Sequence, residues 1–175
     1  MTILKTLATV GVAVLLVACG STAPVTQYYQ LPDSAFRLPE KSGREVGVKV
    51  VLAEPINGEN LLYQSDEYTL TFAQKNLWAA PLDETLVRSL ANKLNRVGSL
   101  KYVPASQNKR IDLTIFIDRF QGSFRGETEI SGYAQYANGA QIPFHVLTAQ
   151  QGDGYAAMLA SLNVGLDSVA RQIGK

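Results

Sequence analysis

The sequence predicts a single α/β (α+β) domain, a mixed, largely antiparallel sheet packed with two main helices. Three observations predict it. Several short stretches alternate apolar and polar residues at period two, and two longer stretches repeat their apolar residues every three or four positions. These run in the order strands, helix, strands, helix, with no internal repeat and no second long apolar run. A sheet with two amphipathic helices buries all of those apolar faces in one body. The 175 residues fit one domain, and 46 % hydrophobic content is ordinary for a globular chain.

Residues 1–18, MTILKTLATVGVAVLLVA, read as an address. Lys5 is the only charge, and a mostly apolar run from Thr6 to Ala18 follows. A basic start before a brief apolar core is the pattern of a secretory signal peptide. The run falls short of the about 20 apolar residues that a membrane span needs. It ends in Leu16-Val17-Ala18-Cys19, which resembles the bacterial lipobox. That resemblance implies a thioether-linked diacylglycerol on Cys19, cleavage before it, and acylation (palmitate) of the new amino terminus. The competing reading is a buried free Cys at the end of a core helix. One acyl chain anchors only marginally, at about 0.8 kcal/mol per buried methylene, so the full set of chains is what makes attachment durable. Gly20 follows, where the associated sorting rule reserves Asp for inner-membrane retention. The expected destination is therefore the outer membrane, facing the periplasm. Loss of Lys5 leaves the processed chain neutral, which gives it little attraction to an anionic surface beyond the lipid.

Residues 19–45 read as a lipidated tether, with Pro24, Pro32 and Pro39 among polar residues. A flexible coil of that length averages roughly 25–30 Å end to end. Within it, Tyr28-Tyr29-Gln30-Leu31 is too apolar for pure linker, and reads either as a short edge strand or as a locally packed patch.

Residues 46–175 form the body. Val46, Val48, Val50 and Leu52 recur at period two, a half-buried strand, before the turn Pro55-Ile56-Asn57-Gly58. Leu61–Gln64 and Tyr68–Ala73 read as a hairpin joined by Ser65-Asp66-Glu67. Pro81 opens a helix whose stripe is Leu82, Leu86, Leu90 and Leu94, with Arg88, Lys93 and Arg96 largely off it, and Gly98 marks its end. Leu100–Val103 is a short strand. Ile111, Leu113, Ile115 and Ile117 alternate with Asp112, Thr114, Phe116 and Asp118 in the clearest strand of the chain. Thr128–Tyr136 and Ile142–Ala149 form a hairpin around Asn138-Gly139, a pair suited to the positive φ angles of a tight turn. Pro143 suits a strand entry or an edge. Asp153 is placed to cap a last helix carrying Met158, Leu162, Leu166, Val169 and Ile173. Gly165 weakens that helix by about 1 kcal/mol against Ala and permits a close approach to the sheet.

Little chemistry is visible. With 16 basic against 15 acidic residues, no basic surplus supports nucleic-acid binding. One Cys and one His exclude Cys-rich and multi-His metal sites, so no metal and no cofactor are expected beyond the lipid on Cys19. A triad would have to use His145, yet no Gly-x-Ser-x-Gly elbow is present, and His145 reads as an edge-strand residue. Asp112 with Asp118, and Asp66 with Glu67, read as solvated strand and turn carboxylates in preference to an acid/base pair. Gly152-Asp153-Gly154 reads as a turn and helix start. No catalytic residue is assigned and no enzyme is expected. The most informative stretch is Leu61–Trp78, which gathers Tyr63, Tyr68, Phe72 and the single Trp78. Such a cluster is either core or a partner interface, where Tyr and Trp serve as anchors.

Leu61-Leu62-Tyr63-Gln64, Asn76-Leu77-Trp78-Ala79-Ala80-Pro81-Leu82 and Leu86–Asn95 resemble the central signature of the ABC-type transport auxiliary lipoproteins, in their PqiC-like branch. Gly132 with its strand, Phe144, and Gly152-Asp153-Gly154-Tyr155-Ala156-Ala157-Met158 are similar to that family's second half, and Tyr28-Tyr29-x-Leu31 fits as well. Tyr133 stands where the family often carries a Trp-like aromatic. The resemblance covers nearly all of the processed chain. It implies a periplasmic α/β body on the outer membrane, working as a homo-oligomer beside a mammalian-cell-entry (MCE) domain protein of an intermembrane lipid transport system. The alternative class is a scaffolding lipoprotein of another envelope complex, for secretion or cell-wall synthesis.

Overall fold

The computed structural model describes residues 25–105 and 110–174. Residues 1–18, read from the sequence as a signal peptide, and Cys19 lie outside the described residues. Eight strands and two helices follow in the order β1 Gln27–Tyr29, β2 Glu45–Leu52, β3 Asn60–Gln64, β4 Leu70–Trp78, α1 Leu82–Val97, β5 Lys101–Pro104, β6 Leu113–Ser123, β7 Glu127–Tyr136, β8 Gln141–Ala149 and α2 Gly154–Ile173.

All eight strands belong to one mixed sheet organised around β6. One side of β6 pairs along its whole length with β7, and β7 with β8, in two long antiparallel ladders. The other side is shared. β2 pairs in parallel with Leu113–Ile117, and β3 pairs in parallel with Gly122 and Ser123. Beyond them, β5 joins β2 in parallel, β4 joins β3 antiparallel, and β1 joins β4 in parallel. A register shift between Ile117 and Arg119 marks the point where β6 changes partner. Such a bulge bends a strand and lets its two halves serve different neighbours.

Both helices cover one face. Thr128 shares a hydrogen bond with Ser161 of α2 at 2.9 Å, and a Cβ on Gly165 would lie 2.9 Å from Ile130 Cδ1. The missing side chain at Gly165 is therefore what lets α2 approach the sheet, as the sequence predicts. Strand alternation then turns Glu127, Glu129, Ser131 and Tyr133 to the opposite face. On that face Phe116 stacks on Tyr133 with ring centroids 4.6 Å apart, and the register continues the row from Val51 through these rings to Pro143. The helix side holds the core, where Leu86, Leu90, Leu94, Leu113, Ile115, Leu162 and Leu166 are fully buried.

α1 obeys its sequence signals. Pro81 presets the backbone at the N-cap, Asp83 and Glu84 occupy the first turn, and Arg96 the last, each on the favourable end of the helix dipole. The burial of α1 is wider than its leucine stripe, however. Thr85, Ser89, Asn92 and Lys93 are also buried. The cover is the segment 31–44, which composition assigns to the tether and which packs here against α1 and the body. Leu31 is fully buried. Asn92 donates from Nδ2 to the carbonyls of Asp33 and Ala35, and its Oδ1 accepts from the Arg37 amide at 2.9 Å. Lys41 Nζ donates to the Gly98 carbonyl at 2.5 Å, and Arg44 reaches Asp112. The segment lacks periodicity because polar side chains of α1, not a ladder, satisfy its backbone. For Tyr28–Leu31, the strand reading is the one observed, since β1 pairs with β4.

Lys93 is the main departure on α1. Its side chain is only 1 % exposed, and its ammonium lies 3.1 Å from Asp33 and 2.8 Å from Asp167 of α2. Arg96 joins both carboxylates from outside. This ion network clamps the strap, α1 and α2 together. The Arg96 hydrogen bond holds the Asp33 carboxyl below its ordinary value, against an opposing desolvation effect and with help from Lys93. A carboxyl whose pKa is lower folded than unfolded stabilises the fold above the ordinary carboxylate value of about 3.9, and that contribution disappears as pH falls through the folded value. Thermal melts between pH 7 and pH 3 are expected to show a flatter acid limb for Asp33→Asn than for the wild type, from a lower starting stability at pH 7.

Candidate functional site

The ribbon of β3 and β4 carries the four aromatic residues singled out in the sequence, and the fold separates them. Trp78 is 7 % exposed and packs on Phe120, with ring centroids 6.0 Å apart. Of the two readings open for Trp78, its burial favours core: the last residue of β4 turns inward over β6 and packs in the core cluster. Tyr63 is half-buried. It stands beside Gly122, where an added Cβ would meet Tyr63 and Met158, and it lines a cleft of about 290 Å³ with Tyr155 and Met158 at the start of α2. Tyr29 of β1 approaches the same Tyr155, with centroids 6.2 Å apart.

Tyr68 and Phe72 point the other way. Tyr68 is 94 % exposed at the tip of the hairpin and Phe72 is 46 % exposed on β4. The tip is held by Asp66, whose Oδ1 accepts from the amides of Tyr68 and Thr69, both at 2.8 Å. The Tyr68 amide bond is the main reason the Asp66 carboxyl sits below its ordinary value. The turn between β6 and β7 leans on this hairpin: the Phe124 amide donates to the Gln64 carbonyl at 2.8 Å, and Arg125 lies 3.6 Å from Glu67. Phe124 is 42 % exposed there, with the Arg125 guanidinium 5.3 Å from its ring centroid. Sequence reading overlooked Phe124 because residues 119–127 carry no clean alternation.

His145 and Asp112, two of the ionisable residues considered for catalysis, are held in ion-pair clusters. His145 Nε2 lies 3.0 Å from Glu129, and Arg119 3.1 Å from the same carboxylate, on the sheet face away from the helices. Asp112 is buried and ties Arg44 at 2.6 Å, Arg110 at 3.1 Å and the Gly47 amide at 3.3 Å. Asp118 is exposed at the β6 bulge, apart from Asp112. Gly152 and Gly154 both have positive φ and form the turn into α2. Asp153 occupies the N-cap between them, but its side chain makes no capping hydrogen bond.

These features define a class of protein: an α/β body whose charges knit its own elements together and which presents exposed Tyr68 and Phe124 at one end of its sheet and exposed Tyr28 on its edge strand. Residues 29–174 match the family model described as ABC-type transport auxiliary lipoprotein component, and the chain belongs to that family. It is 29 % identical over 164 residues to the intermembrane transport lipoprotein PqiC of Escherichia coli (strain K12), covering 86 % of this chain and 85 % of that protein. The intermembrane transport lipoprotein PqiC of Shigella flexneri matches to the same extent. A crystallised protein without an assigned function shares the fold at a TM-score of 0.67 and 28 % identity, over 86 % of this chain and 97 % of its own. A crystallised protein from Xanthomonas campestris shares it at a TM-score of 0.60 and 19 % identity, over 84 % and 92 %.

Proposed function

We propose that this protein is a non-enzymatic auxiliary lipoprotein of an MCE/ABC-type intermembrane lipid transport system, anchored through Cys19 to the periplasmic face of the outer membrane and acting as a homo-oligomer beside an MCE-domain protein. The observation that carries the reading is the similarity to the intermembrane transport lipoprotein PqiC, which extends over 86 % of the chain. The Leu16-Val17-Ala18-Cys19 motif supports the anchor, and Gly20 supports the outer membrane as its address. In this role the body docks and positions. Its ion pairs stabilise the fold, and lipid passes through the partner.

Two measurements test it. Tagged full-length protein crosslinked in native membranes is expected to recover an MCE-domain protein, together with crosslinked multimers of itself. Recovery of secretion or cell-wall synthesis proteins in its place favours the scaffolding alternative and removes the transport reading. Cys19→Ala is expected to leave an uncut precursor in the inner membrane, read by fractionation and intact mass. A mature-sized, released product from that variant contradicts the anchor.

A further inference from the structure

We propose that the end of the sheet bearing Tyr68 and Phe124 rests on the bilayer that holds the anchor, with these two rings seated in the lipid interface. The inference builds on the reading of Cys19 as the lipidated residue and goes beyond it, because it fixes which surface of the body meets the membrane.

The argument begins with direction. β1 runs parallel to β4, with Gln27 opposite Asn76. The chain entering β1 therefore comes from the side where β4 begins, which is the side of the hairpin tip. Exposed Val25 lies just before this entry. Length comes next. Eight residues separate Cys19 from Gln27, and eight separate Tyr68 from Asn76, the partner of Gln27. Fully extended, eight residues span about 28 Å, and as a coil they average about 16 Å. From Asn76 back to Leu70 the strand alone projects about 20 Å toward the tip. As a coil the leash is thus shorter than the distance by which the hairpin overhangs its attachment point, and fully extended it exceeds the strand's projection by only about 8 Å. A body on so short a leash meets the membrane with the hairpin end. Turning the other end down would require the leash to double back along the body.

Chemistry agrees with the direction. Among the described residues Tyr68 is the most exposed of the large hydrophobic side chains, and a Tyr ring with a polar tip suits the boundary between headgroups and acyl chains. Phe124 stands in the adjoining β6–β7 turn under the Arg125 guanidinium, an arrangement that puts an apolar ring and a cation at one level. Asp66 ties down the Tyr68 and Thr69 amides, so the tip is already ordered before contact. Asp66, Glu67 and Arg125 give this end mixed charge, so the contact relies on the leash and the rings and needs no anionic lipid.

The test uses full-length protein extracted from membranes, its lipidation read by intact mass, and reconstituted into phosphatidylcholine–phosphatidylethanolamine vesicles. In lipidated protein the Cys19 sulfur is blocked, so Tyr68→Cys, Phe124→Cys and Asn138→Cys each carry one free thiol for an environment-sensitive fluorophore. Asn138 lies in the β7–β8 turn at the other end of the sheet and serves as the reference. Lipid-borne quenchers are expected to reduce the signal at positions 68 and 124 at least twofold more than at 138, with aqueous iodide showing the reverse. Equal iodide access at all three positions on vesicle-bound protein overturns the inference while leaving the anchor intact. Shielding of 68 and 124 that appears only after a partner protein is added also overturns it, and assigns the surface to that partner. Protein with an unmodified Cys19 that fails to stay on vesicles overturns the anchor itself.

Discussion

Trp78→Ala is expected to lower the melting temperature of the isolated domain by about 6–20 °C. Large-to-small changes of a buried Trp cost about 3–5 kcal/mol, and each kcal/mol shifts a domain of this size by roughly 2–4 °C. The ring is 7 % exposed, is in contact with Phe120, and belongs to the core cluster that includes Leu61, Leu82 and Leu86. It also closes the junction where β4 hands over to α1 through Pro81. Its backbone is fixed independently, since the Trp78 amide donates to the Glu59 carbonyl at 2.7 Å. The hole is therefore held open by the strand pairing and does not collapse. Thermal denaturation of the soluble body without any partner checks the prediction. A variant that melts like the wild type yet fails to assemble would return Trp78 to the surface as a docking residue. Tyr68→Ala makes the contrast: with no packing to lose, it is expected to change the stability by less than about 0.5 kcal/mol.

That contrast shows how far the sequence could be read. Two aromatics ten residues apart in one cluster have opposite fates, because Tyr68 stands in the hairpin turn whereas Trp78 ends β4 over the core. The strands with one wet face were legible: Val46–Leu52 and Leu113–Asp118 alternate because the sheet is covered on one side only, whereas Ile111 and Asp112 lie before β6, with Ile111 exposed and Asp112 buried against Arg44. Legibility stopped at Asp118, although β6 continues to Ser123. The bulge at Ile117–Arg119 shifts the phase by one, so Phe120 and Gly122 point inward where simple alternation places them outside. The strap over α1 was hidden for a related reason. Its core contact is a single Leu31, and its remaining hold comes from polar contacts: Asn92, Lys93 and Arg96 of α1, the Gly98 carbonyl and Asp112. The signal was present as Thr85, Ser89 and Asn92, small or uncharged polar residues at helical spacing on a face that solvent alone would have filled with charges. At the hairpin end, exposed Tyr68 was legible as an aromatic. Its alignment with the path to Cys19 depends on the parallel β1–β4 pairing, which no local pattern announces.

Gly132→Ala is expected to cost about 3 kcal/mol or more, at the upper end of what overpacking does. A Cβ at Gly132 would lie 2.0 Å from the Phe116 carbonyl oxygen, 3.0 Å from its carbonyl carbon and 3.1 Å from the Ile117 Cα. All three are backbone atoms of the neighbouring central strand, so no side chain can rotate away. The φ angle of +155° adds to the cost for any residue with a Cβ. Relief would require β6 and β7 to separate beside the bulge, where β6 passes from β2 toward β3. The Phe116–Tyr133 stack and the adjoining ladder would move with them. Gly126→Ala provides the control. It also has positive φ, at +74°, but nothing lies within 4 Å of its added Cβ, so only the backbone preference of about 1 kcal/mol is lost. Chemical denaturation of the two variants should separate them by roughly 2 kcal/mol, with unchanged denaturant dependence if both remain two-state. Equal losses would mean that the central strands can part at little cost. The bulge would then be a hinge in the sheet, and not the rigid joint that holds the hairpin end in line with the rest of the body.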